Sequence, residues 1–413
     1  MTMATTNEQA YSLLVERLHE RGVDVDAVKR SLKKQAIETP SWGYADSGTR
    51  FGVFAQPGAA VTIAEKLADA AQVHRFTGVA PLVAAHVLWD FPDAEAVESV
   101  PALAESLGVR VGSINPNVFQ GSDYWMGSFG NRNPAARRKA IQHCLDSVEI
   151  GKQLHSTVLS LWFADGTDYP GQDDIRERKH RFRESLAEVY RAMHPSMTML
   201  VEYKPFEPGL YHTDIADWGM SYVFCKGLGD RARVLVDLGH HLPGTNIEHI
   251  VAFLLDEQML GGFHFNNRKY ADDDLMVGSI NPYEFFLIYN ELVKEEQNPR
   301  GNPPVEYMVD QGFNTKKKIP GMIQTVLMIQ STYAKALCVD RKTLAEAANN
   351  GDVVGAEQTL LDAFSTDVEP LLRQVRAEME VPEQPLKAYL ASGYQQQIEE
   401  ERGIRSGAGG LGQ

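Results

Sequence analysis

Short apolar runs rich in Val, Ile, Leu and Ala alternate along the middle of the chain with longer stretches in which apolar residues recur every three or four positions. The first pattern reads as buried parallel strands and the second as amphipathic helices. Strands are predicted near Leu82–Ala85, Arg110–Ser113, Val158–Leu161, Met199–Glu202, Val234–Asp237, Gly262–Phe265, Met276–Ser279 and Glu306–Asp310. Helices are predicted at Ala94–Leu107, Asn133–Leu154, Arg176–Met193, Thr213–Lys226, Asn246–Leu255, Pro282–Glu296 and Lys318–Leu337. Eight strand–helix units in roughly 255 residues match a (β/α)8 TIM barrel of the α/β class. An open doubly wound sheet is the alternative. No Gly-rich GxGxxG follows a strand, so a dinucleotide site has no support.

The flanks read differently. Residues 5–36 carry helical spacing (Leu13, Leu14, Leu18, then Val25, Val28, Leu32), which Gly22 divides into two helices. Ser41–Phe54 breaks the period with three glycines among aromatics, the composition of a lid, a subunit contact or a packed connector. Asp340–Ile398 repeats amphipathic spacing, enough for three or four helices in an arm on the barrel or on a neighbouring subunit. The glycine-rich tail from Gly403 is expected to be flexible. The expected division is an N-terminal extension over 1–75, the barrel over 76–338 and the helical arm with its tail over 339–413.

Composition narrows the partners. The chain of 413 residues has a formal net charge of −15, which argues against nucleic acid and anionic membrane surfaces. Three scattered cysteines, Cys144, Cys225 and Cys338, form neither a disulfide framework nor a thiolate metal pattern. No apolar run reaches the roughly 18 residues of a membrane span, and the N-terminal stretch has no signal-peptide core. The default compartment is cytoplasmic.

The polar residues at the predicted strand ends change the picture most. VLVDLGHH surrounds Asp237 with Val234, Leu235, Val236 and Leu238, then adds His240 and His241. MLVEYKPFEP carries Glu202 and Lys204, GFHFNNRKYADDDL carries His264, Asp272 and Asp274, and YMVDQGFN carries Asp310. An extended backbone would point Asp272 and Asp274 to one side. His86 and Trp89 follow the first strand and Trp162 the third. Alone, any of these acids could be a helix cap or a salt-bridge partner. Together they put Glu202, Asp237, Asp272, Asp274 and Asp310 at one barrel face. Two carboxylates about 4 Å apart repel by about 4 kcal/mol at an effective dielectric of 20, so the group needs cations. Two divalent ions and Lys204 balance it. Oxygen and imidazole ligands without thiolate favour Mn²⁺, Co²⁺ or Mg²⁺, with Zn²⁺ possible.

The four motifs VEYKPFEP, VLVDLGHH, GFHFNNRKYADDDL and YMVDQGFN resemble those of the bacterial L-rhamnose isomerases of broad aldose–ketose specificity, which belong with the xylose isomerase-like barrels. The resemblance covers roughly Trp42–Asp340. It implies that Glu202, Asp237, His264 and Asp310 hold a structural ion that also binds substrate oxygens. It implies a catalytic ion on His240, Asp272 and Asp274, with Asp237 nearby or bridging. Lys204 would touch substrate O1, His86 would assist ring opening, Trp89 and Trp162 would wall the pocket, and Phe51 would reach a neighbouring subunit's site. The implied enzyme is a homotetramer with two divalent cations per subunit, Mn²⁺ first among them. Its reaction interconverts L-rhamnose and L-rhamnulose, with aldoses such as D-allose also accepted. Two routes are open, a metal-assisted hydride shift and an enediol route through a carboxylate base, and two ions, a lysine donor and tryptophan walls that exclude water favour the first. The rival activities on such a scaffold are a ketose 3-epimerase and a metal-dependent hydrolase.

Overall fold

The computed structural model describes residues 7–49, 52–91, 95–270 and 272–405. Phe51, and the tail from residue 406 on, lie outside the described residues.

Eight parallel strands close into a barrel: β1 (Glu38–Pro40), β2 (Leu82–His86), β3 (Arg110–Asn115), β4 (Val158–Leu161), β5 (Thr198–Glu202), β6 (Ala232–Asp237), β7 (Leu260–Phe265) and β8 (Glu306–Val309). Each strand pairs with its neighbour in sequence, and β1 closes the ring by pairing with both β2 and β8. Seven of the eight predicted strands fall on seven of these. The eighth does not. Met276–Ser279 forms turns, and its apolar residue Val277 is buried against the main core as a loop side chain. The missing strand is β1, three residues long and ending in a proline, in the stretch the sequence reading leaves between helix and loop. Ser41–Tyr44 then forms a 3-10 turn, and Ser47–Thr49 pairs antiparallel with Gly52–Phe54 in a small hairpin.

Most helices follow the predicted periods, but Ile63–Thr77 forms where no helix is predicted, the helix predicted over Ala94–Leu107 is two short ones, Glu95–Glu98 and Val100–Ser106, and the one predicted from Thr213 starts at Trp218. The helix Lys318–Leu337 has the expected bounds, and the N-terminal stretch splits at Gly22 into Asn7–Glu20 and Val25–Lys34. Local signals fix several ends. Thr62 and Glu65 form a reciprocal capping box on Ile63–Thr77, and Gly78 closes that helix in the left-handed region at φ 76°. Among the described residues the C-terminal arm contains five helices rather than three or four: Asp340 and Asp352 each cap a new start, Pro370 and Pro385 lie in the first turn of two more, and Gly393, left-handed at φ 80°, precedes the fifth. The arm packs on its own barrel. Ala363, Leu371, Leu372, Val375, Tyr389 and Ile398 belong to the same continuous core as the barrel helices. Arg402 ties its last helix to the buried Asp69 at 2.7 and 2.9 Å.

Inside the barrel a separate apolar plug is built from Val158, Leu200, Leu235 and Met308. Side chains two apart on a strand share a face. The residues two positions on are Ser160, Glu202, Asp237 and Asp310, so the plug is the dry floor on which a polar ring stands.

Candidate metal centre

Above that floor a cavity of about 790 Å³, open mouth included, is lined by His86, Trp89, Ser160, Trp162, Glu202, Lys204, His240, His264, Asp272, Asp274 and Asp310, among others. Asp237 lies directly behind this lining and is fully buried. The structure therefore brings together every described residue expected at the site.

The ligand-type atoms converge. Glu202 reaches both imidazoles, with Oε1 2.9 Å from His240 Nδ1 and Oε2 3.2 Å from His264 Nδ1. His264 Nδ1 also lies 3.8 Å from Asp237 Oδ2 and 3.7 Å from Asp310 Oδ2. His240 Nε2 is 3.0 Å from Asp272 Oδ1. Two sets of three have donor atoms within 4.8 Å of one another, Glu202–Asp237–His240 and Asp237–His264–Asp310, and Asp237 is common to both. Glu202 falls in the set with His240, while its second oxygen also faces His264.

Asp237 is held firmly. Its Oδ1 accepts from the backbone N–H of Gly239 at 2.7 Å and of His240 at 3.1 Å. The Asn266 amide donates to both its oxygens at 3.0 Å and to Asp274 Oδ1 at 3.3 Å. Asp272 and Asp274 do not reach the cavity from an extended backbone. Both sit in the left-handed region, at φ 51° and 45°, a conformation that costs energy for residues other than glycine and clusters at functional sites.

Electrostatics test whether cations fit here. Burial pushes Asp237 up to about 6, and burial followed by the charges of Asp272, Asp310 and Asp237 drives Asp274 well above the usual carboxylate range. Burial raises Asp310 as well. Burial also opposes the charge on Glu202, but His264 and His240 overcome it and hold that carboxyl down at about 2. His264 is pushed up to about 9, burial working against its charge and Glu202, Asp310 and Asp237 favouring it. His240 is likewise raised, burial opposing its charge and Asp237, Asp272 and Glu202 favouring it, so three acids are driven toward neutrality and two imidazoles toward protonation, the signature of more negative charge than the side chains can balance. Glu202 Oε1 and His264 Nδ1 are moreover buried without a hydrogen-bond partner despite their short contacts. Lone pairs aimed at shared points, with excess negative charge, fit two divalent cations.

The walls are aromatic. His86 stacks on Trp89 with ring centroids 3.6 Å apart, and Trp42 meets both rings edge-on. Phe119 meets Trp162 at 4.7 Å, and Lys204 Nζ lies 5.2 Å from the Trp162 ring centre. Lys204 Nζ donates to Glu207 at 2.6 Å and to Asp272 at 2.5 Å. Burial pushes His86 down to about 3, so its imidazole is neutral. Its Nδ1 lies 3.0 Å from the Val87 carbonyl, an acceptor, so Nδ1 carries the proton and Nε2 is the free acceptor. The turn that carries His86 and Trp89 is clamped by buried Asp90, which accepts from Lys66 Nζ at 2.7 Å, Ser41 Oγ at 2.5 Å and the His86 N–H at 2.7 Å. Leu88 within that turn is held at φ 88°.

Sequence reasoning missed Trp42, Phe119, Asn266 and Ser160. Trp42 donates from Nε1 to Asp310 Oδ1 at 2.8 Å; recognising β1 would have put it at a strand end. Ser160 was within reach, since Trp162 was singled out and Ser160 lies two residues before it. Asn266 sits two residues past His264, and Phe119 carries no local signal.

A family model described as a xylose isomerase-like TIM barrel matches residues 67–288. A protein named probable sugar isomerase from Rhizobium meliloti (strain 1021) is 41% identical over 408 residues, covering 97% of this chain and 94% of the relative. A second of that name from Mesorhizobium japonicum is 38% identical over 410 residues, covering 98% and 95%. The xylose isomerase of Thermus thermophilus is 23% identical over 45% of this chain and 50% of its own length. Among solved structures, a D-tagatose 3-epimerase-like protein superposes with a TM-score of 0.53 at 14% identity, covering 73% of this chain and 99% of that one, a likeness of fold. The chain belongs to the xylose isomerase-like TIM barrel family.

Proposed function

We propose that this protein is a divalent-metal-dependent aldose–ketose isomerase that interconverts L-rhamnose and L-rhamnulose and accepts further aldoses such as D-allose. The observation that carries the reading is the pair of ligand sets sharing Asp237 beneath one cavity that also holds Lys204, a neutral His86 and an aromatic wall. Its relatives named as probable sugar isomerases, similar over nearly the whole chain, support it.

Two ions, Mn²⁺ or a similar divalent cation, would be held by Glu202, Asp237, His240, His264, Asp272, Asp274 and Asp310 and would supply Lewis acidity at the sugar's reacting oxygens. The chain's own groups do the rest. The free Nε2 of His86 accepts the proton of the anomeric hydroxyl as the C1–O5 bond breaks and the C1=O1 carbonyl forms, and returns that proton to O5. The Lys204 ammonium, held by Glu207 and Asp272, holds O1 as charge develops there. Trp42, Trp89, Phe119 and Trp162 exclude water, which favours direct transfer of hydrogen between C1 and C2 over exchange with solvent. The assembly is a homotetramer in this reading, and the compartment is the cytoplasm.

The decisive assay is ketose formation from L-rhamnose by chelator-stripped protein, before and after adding Mn²⁺. Activity that returns only with metal supports the reading. No ketose from L-rhamnose or any other aldose in the presence of Mn²⁺, Co²⁺ or Mg²⁺ sinks it. Solvent deuterium incorporated at C1 or C2 during turnover would replace the hydride shift by an enediol route.

A further inference from the structure

Four inward-facing positions stand one step above the apolar plug, and three of them are acids. The fourth is Ser160 on β4, two residues after Val158 of the plug. It is 2% exposed, it lines the cavity, and its Oγ is buried without a hydrogen-bond partner. Two positions on, on the same face, Trp162 also lines the cavity and its Nε1 is likewise buried without a partner. A buried polar atom left unpaired is costly and rare, so one on a residue that lines a cavity points to a partner that arrives from outside.

The ions do not explain these two atoms. An indole N–H only donates and cannot ligate a cation. A neutral hydroxyl is a weak ligand beside carboxylates, and Ser160 belongs to neither ligand set. The missing partner for Trp162 must accept a hydrogen bond; that for Ser160 can either accept or donate. A sugar hydroxyl does both.

We infer that Ser160 is a specificity-determining residue whose hydroxyl, with the Trp162 indole N–H above it, hydrogen-bonds a hydroxyl of the bound monosaccharide. The inference rests on the sugar-isomerase reading and adds to it the wall that reads the sugar. β5, β6 and β8 present charge to the cations, whereas β4 presents neutral hydrogen-bonding groups and is the side on which epimers are told apart.

The test is Ser160→Ala in the metal-loaded enzyme, with KM and kcat measured for L-rhamnose and for its monodeoxy analogues. The expected result is a KM raised about tenfold for L-rhamnose, the scale of one lost hydrogen bond, with kcat little changed, as for lost uniform binding. One monodeoxy analogue, the one lacking the partner hydroxyl, should show no difference between wild type and variant. Trp162→Phe, which keeps the ring and removes the N–H, should likewise raise KM and lose its effect with one analogue. A merely structural Ser160 would behave otherwise. Removing an unpaired hydroxyl should leave the melting temperature of the sugar-free protein unchanged or raised, whereas a structural hydroxyl would lower it and slow all sugars alike. Equal KM increases across every analogue, or none for any, overturn the inference while leaving the isomerase reading intact. A wild type inactive on every aldose overturns both.

Discussion

Glu38 offers the sharpest test of the physical reasoning, because it lies in the barrel core and outside the ligand sets. It opens β1, is 2% exposed, and bonds the Ser113 hydroxyl and, at 3.1 and 3.2 Å, the Ser113 N–H. Burial, opposed by those bonds and reinforced by the charge of Glu306, moves its carboxyl from 4.5 up to about 7. The folded value therefore exceeds the unfolded one. The stability tied to this group is fully present below about 4.5 and is lost as pH rises through about 7. At 1.36 kcal/mol per pH unit, the ionised group makes the fold about 3 kcal/mol less stable at pH 8 than its protonated form would. Glu38→Gln keeps the shape, accepts the Ser113 N–H through its carbonyl oxygen, and never ionises. In urea unfolding with chelator present, its stability relative to wild type should improve by about 2–3 kcal/mol between pH 5 and pH 8. A constant offset from a poorer hydrogen bond would appear at both pH values, so the change with pH is the diagnostic quantity. A difference between the two proteins that is the same at pH 5 and pH 8 would refute the claim that Glu38 ionises at a cost in the folded barrel.

Asp237→Asn should lower metal affinity by more than the roughly 10–100-fold cost of losing an outer-shell partner, measured by calorimetry, and abolish activity with it; retained activity at wild-type metal occupancy contradicts the shared-ligand role. Lys204→Met should leave metal stoichiometry intact and cut kcat by about 10²–10³, the scale of one lost electrostatic donor; unchanged turnover removes Lys204 from the chemistry. If His86 acts in ring opening, as proposed, His86→Asn should slow cyclic sugars about tenfold or more while sparing substrates that cannot form a ring; equal slowing of both counts against it. Lys66→Met leaves buried Asp90 without its cation and should cost about 3–5 kcal/mol in denaturant unfolding; a cost under about 1 kcal/mol would mean that the clamp on the His86–Trp89 turn does not depend on the pair.

Much of the site is legible because the barrel repeats one rule. Val158, Leu200, Leu235 and Met308 are buried as a plug, and the next inward position on each strand is polar. A run of apolar residues closed by an acid therefore marks both a strand and its site residue, which is how Glu202, Asp237 and Asp310 can be found without coordinates. Binary pattern carries no information on backbone hand, so Asp272 and Asp274 are legible as acids but not as left-handed residues. For the same reason the buried loop residue Val277 imitates a strand: burial alone does not distinguish an apolar side chain in a turn from one in a sheet.

The strand that escaped matters more than its three residues suggest. Glu38–Pro40 is too short for a period and ends in a residue depleted from strands. Yet a ring of seven has two open edges, and β1 is what joins β8 to β2. That closure delivers Ser41 to Asp90 and Trp42 to Asp310, so one short segment ties the His86–Trp89 turn to a ligand-set carboxylate. The carboxylate side and the aromatic side of the cavity are thereby joined through residues that precede the first obvious strand. The N-terminal segment is thus part of the site's scaffold, and a chain truncated before β2 would lose the Trp42–Asp310 bond and one side of the aromatic wall along with the barrel's closure.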